Sequence, residues 1–304
     1  MGDSIASGEG IDYGYTYTGS GVPHWTGGTR SPTWLGLYPG CHVSAQAYGG
    51  TVARRLRGRL TNLACTGSTY LNGIVGPRVA ADGTPLRPAQ FGDWSSGRGL
   101  NPVYDQVRPD LVLVTLGADD VQFVHILEAC VADSIVDPLA CTAADPGQTI
   151  QADYLAQRPT LRANYRALAA AIQARGRRDG KVPAVIFTTY PNPLPSPGSD
   201  ISLARCPDAG HLSANQIAYL TSLVNQLDDL IESSLAGMKG VSVADVRSAY
   251  TGHALCSADP WVYGLSILAF ANPDSQAPFH PTPPGQMSIA RGVVAAARFS
   301  LGVG

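Results

Sequence analysis

The sequence predicts a doubly wound, three-layer α/β domain, in which helices cover both faces of a mainly parallel sheet. Three observations support this fold class: apolar segments without polar alternation, helical segments between them, and long loops rich in glycine and proline. The 304 residues, 44% of them hydrophobic, are enough for one such domain. Because the chain shows no repeat, linker or change in composition, we expect a single domain over residues 1–304.

Four segments rich in β-branched residues are predicted as buried strands, since each is bounded by glycine, proline or polar residues. In chain order they are "LTNLAC" (60–65), "DLVLVTLG" (110–117), "AVIFTTY" (184–190) and "GVSVADV" (240–246). Continuous apolar segments of this kind are typical of strands covered on both faces, as in a parallel sheet.

Helices are predicted between and after these strands. Their expected ranges are about 44–57, about 160–175 after Pro159, about 213–235, and from Thr282 to near the end of the sequence. The third has apolar residues at helical spacing on one face. Pro283 suits the first turn of the last helix. Strands alternating with helices favour the doubly wound arrangement.

Charge and hydropathy exclude two classes of partner. A net charge of -2 with 14% charged residues leaves no broad basic surface for nucleic acid. The strongest apolar segment, "LVLVTLG", is far shorter than the roughly 18–20 residues of a membrane-spanning helix. We therefore expect no nucleic-acid partner and no transmembrane segment.

Six cysteines without metal-binding spacing favour three disulfides and an oxidising compartment. The N-terminal residues do not resemble a signal peptide, which leaves removal of that segment or buried thiols as alternatives. The sequence contains no G-x-S-x-G motif, so it does not match the usual α/β-hydrolase nucleophile turn.

Four short motifs occur in a fixed order along the chain. They are "GDSIASGEG" at its start, "NLACTGST" (62–69), "TLGADDVQF" (115–123) and "FHPTPPGQ" (279–286). Together they resemble the four blocks of the GDSL or SGNH hydrolase family, over the whole chain. The resemblance implies a flavodoxin-like SGNH domain and an ester hydrolase.

The cysteine pattern narrows this resemblance to secreted actinobacterial esterases and lipases of the family. The matching segments are "GCHVSAQAY", "ACTGST", "EACVADSIVDPLAC", "ARCPDAG" and "TGHALCSADPW". Sequence alone leaves fifteen possible pairings. The resemblance implies the sequential ones: Cys41–Cys65, Cys130–Cys141 and Cys206–Cys256.

Carried over to this chain, the resemblance makes Ser4 the nucleophile and His280 its general base. A serine hydroxyl is unreactive until a positioned imidazole takes its proton. No metal or other cofactor is implied. The expected partner is a small-molecule or lipid ester, and the expected protein is a secreted monomer.

The oxyanion hole departs from the family pattern at one of three positions. Two donors match, the backbone N–H groups of Ser4 and Gly67, but Asp119 replaces the usual asparagine. An ionised carboxylate donates no hydrogen bond, and loss of one donor costs roughly 3–4 kcal/mol. Three interpretations stay open: a protonated Asp119 that donates, an Asp119 turned away in a slower enzyme, or a binding protein that has lost hydrolysis.

The group that orients His280 also differs from the usual pattern. The family commonly has an aspartate three residues before the histidine, where this chain has Ala277. Some secreted relatives use a backbone carbonyl there. We therefore expect the Ala277 carbonyl to orient His280 in a Ser-His dyad, without Asp274 as a third member.

Relatives also have a buried strand immediately before the Gly-Asp-Ser motif, whereas this sequence begins there. A missing central strand would leave backbone groups unpaired and apolar surface uncovered. We therefore expect a sheet that lacks its first strand, and a natural chain with that strand and a signal peptide upstream. A 304-residue form would then be unstable or rearranged at its nucleophile.

The sequence thus predicts a secreted serine esterase or lipase that acts through an acyl-enzyme on short- to medium-chain acyl esters. Phospholipids and acetylated polysaccharides are the next candidate substrates. A non-hydrolytic binding protein and an acyltransferase to a sugar or polyol remain alternatives. Several aromatic loop residues are candidates for lining the acyl site: Tyr13, Tyr15, Trp25, Trp34, Trp94 and Trp261.

Overall fold

A computed structural model of the chain describes most of the sequence. The described residues are 1–11, 15–17, 23–25, 39–92, 104, 106–123, 126–127, 129–130, 141–142, 149–196, 212–264 and 279–303. Their strands are β1 (Tyr15–Tyr17), β2 (Pro23–Trp25), β3 (Arg78–Val79), β4 (Pro85–Arg87), β5 (Leu111–Val114), β6 (Ala184–Thr188) and β7 (Val241–Ala244). Their helices are α1 (Ser4–Ser7), α2 (Tyr48–Arg55), α3 (Thr149–Arg178), α4 (Ala214–Leu235) and α5 (Pro283–Leu301), with 3-10 turns at Pro39–Cys41 and Arg247–Tyr250.

The central sheet is parallel, with the strand order β5-β6-β7. Leu111 pairs with Ala184, and Val185 pairs with Val241. β1 with β2, and β3 with β4, form separate antiparallel pairs. Val185, Ile186 and Phe187 of β6 are buried, as expected for a strand covered on both faces. Three of the four predicted strands are thus present at the predicted positions.

Residues 1–3 lie along the other edge of β5. Gly2 forms a parallel bridge with Thr115, and the Asp3 N–H donates to the Thr115 carbonyl at 3.0 Å. Gly2 has a φ of 143°, and a Cβ there would lie 2.1 Å from the Thr115 oxygen. Glycine is therefore required where the chain passes from the sheet into the Ser4 turn.

The predicted strand at residues 60–65 is absent from the structure, so that prediction is wrong. Asn62 explains the difference, because its Oδ1 accepts a hydrogen bond from the Ala64 N–H at 3.0 Å. Such a local side-chain turn competes with extended pairing. The segment still reaches the sheet at one point, where the Cys65 N–H donates to the Gly2 carbonyl at 3.1 Å.

Helices pack in two pairs around the sheet. α3 and α4 contact each other, with α3 against β6 and α4 against β7. α2 contacts α5, which also packs on β6 and β7. This is the helix–sheet–helix arrangement that the sequence predicts. No helix in the described ranges combines the length and the apolar character that crossing a bilayer requires.

Two helix starts agree with the sequence and one does not. Ser213 caps α4 and Thr282 caps α5 through their side chains. α3 was expected to begin after Pro159 but begins at Thr149 and runs through the proline. The turn before the proline is anchored by Tyr154, a buried residue whose hydroxyl donates to the Leu223 carbonyl of α4. This tertiary contact outweighs the local signal of the proline.

Candidate active site

Ser4 is the first residue of α1, a four-residue helix at the carboxyl end of the sheet. Asp3 caps this helix, with its Oδ1 accepting the Ile5 N–H at 3.0 Å. Gly8 ends it in the left-handed conformation, with a φ of 83°. The bridge at Gly2 on one side and this short helix on the other fix the position of Ser4.

A pocket with about 590 Å³ of open space, including its mouth, lies at this edge of the sheet. Its size is within the range of small-molecule sites. It brings together three of the residues predicted from sequence, Ser4, Asp119 and His280. The rest of its wall is mostly apolar, formed by Ile5, Ala118, Phe123, Tyr190, Pro191, Pro193, Val224, Leu227, Tyr250 and Phe279.

His280 is held by backbone hydrogen bonds to the segment at residues 261–263. The Tyr263 N–H donates to the His280 carbonyl, and the Tyr263 carbonyl accepts the Phe279 N–H, both at 2.8 Å. Thr282 donates its N–H to the Trp261 carbonyl at 2.9 Å. Phe279 takes a positive φ of 63°, which turns the chain just before the histidine. These bonds fix the backbone of His280, which is 6% exposed.

Gly67 lies in the turn after the first disulfide and has a φ of 67°. The Thr66 N–H donates to the Cys41 carbonyl at 3.2 Å, so the disulfide partner also anchors this turn. Gly67 is not among the residues that line the pocket.

Asp119 lines the pocket beside other buried carboxyl groups. Its Oδ2 is buried without a hydrogen-bond partner among the described residues. Burial, together with the nearby charges of Asp3 and Asp120, raises the pKa of Asp119 well above its usual value, and Arg78 opposes this shift. Burial likewise raises the pKa of Asp3 to about 7 and that of Asp120 to about 6.

Tyr190 links the first and third motifs, a role that the sequence interpretation missed. Its hydroxyl donates to Asp3 Oδ2 and accepts the Ala118 N–H at 3.1 Å. Its own N–H donates to Asp228 Oδ1 at 2.7 Å. The sequence contained a weak indication of this role, because Tyr190 is the last residue of the predicted strand "AVIFTTY". Parallel sheets place their binding sites at the carboxyl ends of their strands.

Two further polar residues near the motifs gave no sequence signal. The Gln90 carboxamide is fully buried and bonds both backbone groups of Gly2, each at 2.7 Å. The Arg78 guanidinium lies against Gly67 and interacts electrostatically with Asp119. Neither residue belongs to one of the four motifs.

Several residues considered in the sequence analysis lie outside the described residues: Ala277, Asp274, Cys206, Tyr13, Trp34 and Trp94. Trp261, one of the candidates for the acyl site, is not among the residues that line this pocket. It stacks on His253 instead, with ring centroids 3.7 Å apart. The aromatic wall is formed by Phe123, Tyr190, Tyr250 and Phe279.

Two of the predicted disulfides are present, Cys41–Cys65 and Cys130–Cys141. Cys256 is also disulfide-bonded, but its predicted partner is outside the described residues. Where the chain is described, no group of three or more histidine, cysteine, aspartate or glutamate side chains is arranged to hold a metal ion.

The sequence profile of the GDSL-like lipase/acylhydrolase family matches residues 1–287. The chain belongs to this family. An extracellular lipase from Streptomyces rimosus is similar in structure, with a TM-score of 0.59 and 22% sequence identity over 97% of this chain and 96% of that one.

A phospholipase A1 from Streptomyces albidoflavus NA297 is also similar, with a TM-score of 0.51 and 19% identity over 97% of this chain and 96% of that one. At these identities the two structures establish the SGNH fold for this member of the GDSL-like family. A comparison with curated protein sequences gave no match.

Proposed function

We propose that the protein is a secreted serine ester hydrolase that acts on short- to medium-chain acyl esters. The observation that supports this most is the pocket, in which Ser4, His280 and Asp119 lie together within an otherwise apolar wall. An apolar wall suits an acyl chain, and a few convergent polar groups suit the ester carbonyl. Membership of the GDSL-like family supports a hydrolase.

In the proposed reaction, His280 takes the proton of the Ser4 hydroxyl while Oγ attacks the ester carbonyl carbon. The carbonyl π electrons move to oxygen and give a tetrahedral oxyanion. When this intermediate collapses, the bond to the alkoxy oxygen breaks, and His280 gives its proton to the leaving alcohol. Water then attacks the acyl-enzyme in the same way and releases the acid and free Ser4.

Three groups are proposed to bind the oxyanion: the N–H groups of Ser4 and Gly67, and a protonated Asp119. Of the three interpretations of Asp119, this one has the most support. The side chain lines the pocket, and its raised pKa favours the neutral form, whose O–H donates a hydrogen bond. Ala277 is proposed, on the family resemblance alone, to orient His280 through its carbonyl.

The compartment and assembly are proposals too. Two disulfides between described residues are compatible with secretion, because such bonds persist in oxidising surroundings. We propose one domain that works as a monomer without a cofactor.

The first experiment is hydrolysis of p-nitrophenyl butyrate and octanoate between pH 4 and 9. Ser4→Ala is expected to reduce the rate at least about 1,000-fold, because it removes the hydroxyl that is proposed to form the acyl-enzyme. The wild-type rate should fall at the pH where Asp119 ionises. Asp119→Asn, whose amide donates at every pH, should not show this fall.

Asp110→Asn is the matched control, since Asp110 is an exposed carboxylate at the opposite end of β5. It should leave both the rate and the pH profile unchanged. Activity that persists in Ser4→Ala would contradict the proposal. Activity that appears only in Asp119→Asn would favour the binding-protein alternative, with an oxyanion hole disabled by the carboxylate.

A further inference from the structure

Arg78 is placed directly against Gly67. A Cβ added at Gly67 would lie 2.2 Å from Nη2 of Arg78 and 3.2 Å from its Cζ. The guanidinium therefore occupies the space that a side chain at position 67 would need. Arg78 thus contacts Gly67, one of the residues proposed to bind the oxyanion.

Two of the three guanidinium nitrogens are held by backbone carbonyls. Nε donates to the Thr66 carbonyl at 3.0 Å, and Nη1 donates to the Val79 carbonyl. Val79 is itself fixed by Asn72, whose side chain accepts its N–H at 2.7 Å and donates to its carbonyl at 3.1 Å. The guanidinium is thus positioned before any substrate arrives, which is what an electrostatic catalyst requires.

Nη2 has no acceptor among the described residues, in contrast to Nε and Nη1. This nitrogen is the one that faces Gly67. Arg78 is half-buried, so its charge is screened less than that of a fully exposed arginine. An N–H donor that is positioned, charged and unused is available to a ligand at Gly67.

Three buried carboxyl groups lie close to one another beside this place. Asp3, Asp119 and Asp120 lie close enough to affect one another's ionisation. An oxyanion that forms beside them would be repelled by any of them that is ionised. Arg78 is the cation that acts on Asp119.

We propose that Arg78 is a further catalytic residue, which stabilises the oxyanion at Gly67 with its Nη2 group, in addition to the N–H groups of Ser4 and Gly67 and the protonated Asp119. The inference rests on the proposed function. Arginine suits this role because its guanidinium stays charged and its fork geometry lets one nitrogen bind the ligand while two bind the protein. Sequence comparison by motif would overlook it, since Arg78 lies eleven residues beyond Gly67.

The experiment compares Arg78→Met and Arg78→Lys with the wild type on p-nitrophenyl butyrate. Arg78→Met is expected to lower kcat about 100-fold, the usual effect of losing one oxyanion donor, with KM changed less than about twofold. The rate at which a p-nitrophenyl phosphonate labels Ser4 should fall in parallel, because its adduct places a negative oxygen in the same site. Arg78→Lys, which keeps the charge, should recover part of kcat.

Two measurements separate this role from a merely structural one. The first is Tm, which reports any loss of folded structure. If Arg78 had only a structural role, Arg78→Met would lower Tm, raise KM and lower kcat together. In an Asp119→Asn background, where an amide donor is restored, Arg78→Met should cost less than about tenfold. Arg54→Met is the matched control, because Arg54 is an exposed arginine on α2 whose side chain bonds only Thr51 within the described residues.

The outcomes distinguish the two proposals. If the wild type is active, Ser4→Ala is inactive and Arg78→Met retains kcat within about threefold, the role of Arg78 is overturned and the proposed function stands. If the wild type does not hydrolyse esters, or Ser4→Ala remains active, the proposed function fails and the role of Arg78 fails with it.

Discussion

Glu9 follows the short helix that begins with Ser4, and its carboxyl group is fully buried. Its Oε2 lies 2.7 Å from Nδ1 of His42, while Oε1 has no hydrogen-bond partner within the described residues. His42→Ala would leave a buried carboxyl group without this contact. We expect a loss of about 3–5 kcal/mol in the free energy of unfolding, measured by urea denaturation.

Two companion variants test the cause of that loss. Glu9→Gln in the His42→Ala background should restore part of the stability, because a neutral amide is less costly to bury than a carboxylate. His42→Asn keeps a hydrogen-bond donor and suits the positive φ of 50° at this position. Equal urea midpoints for His42→Ala and the wild type would show that the pair does not stabilise the fold.

At the residue scale, short motifs were informative and distant contacts were not. Ser4, His280 and Asp119 belong to motifs in a fixed order and line one pocket, while their catalytic roles stay predictions. Tyr190 acts on Asp3, 187 residues away, and this contact exists only because β6 lies beside β5. Arg78 and Gln90 likewise act through turns that bring separate segments together.

At the scale of elements, the buried strands and the helix caps were predictable for physical reasons. β5, β6 and β7 lie within continuous apolar segments, which have few alternatives to burial. The segment at 60–65 looked similar, but Asn62 redirects the backbone locally. α3 began earlier than expected because packing on α4 stabilises the turn before Pro159.

Pro159 is an exposed residue inside α3, so its ring contributes little packing to the core. A proline in a helix interior lacks the N–H that would bond the carbonyl four residues earlier. Pro159→Ala should therefore stabilise the protein by about 1–3 kcal/mol and raise Tm. Differential scanning calorimetry measures this.

Ala156→Pro is a useful comparison, because it adds a second proline one turn earlier at another exposed position of α3. It should lower Tm. A decrease of Tm in Pro159→Ala would mean that the proline relieves some other constraint on the helix.

At the scale of the whole molecule, buried carboxyl groups connect stability with pH. Burial is the main reason that the pKa is raised to about 7 for Asp3, about 6 for Asp120 and about 8 for Asp228. At pH values above 3.8, the usual pKa of an aspartate, these groups lose their protons in the unfolded chain but keep them in the folded chain. The stability that these groups contribute is therefore present below about pH 4 and is lost as pH rises to about 8.

One group acts in the opposite direction, because burial lowers the pKa of the Met1 amino group to about 5. The buried carboxyl groups outnumber this amine, so the free energy of unfolding still decreases as pH rises. We expect Tm to fall by ~5 °C or more between pH 5 and pH 8 in a buffer of constant ionic strength.

Asp228→Asn should flatten this decrease, since Asp228 has the highest of the three pKa values. Its Oδ1 accepts the Tyr190 N–H, a role that an asparagine oxygen also fills. Asp229→Asn changes an exposed neighbour and should keep the full slope. A Tm that rises steadily from pH 5 to pH 8 would contradict the assignment of these groups.

Gln286, in the first turn of α5, holds the nucleophile region from the far end of the sequence. Its side chain donates to the Ile5 carbonyl at 3.0 Å and accepts the Tyr48 N–H at 2.8 Å. Residues 5 and 286 are separated by 281 positions, so this clamp depends on contacts that close only when nearly all of the chain is available. A ribosome-bound chain that has not yet reached residue 280 has neither the base nor the clamp. The proposed esterase activity is therefore absent during translation, until the chain has been synthesised past His280 and Gln286.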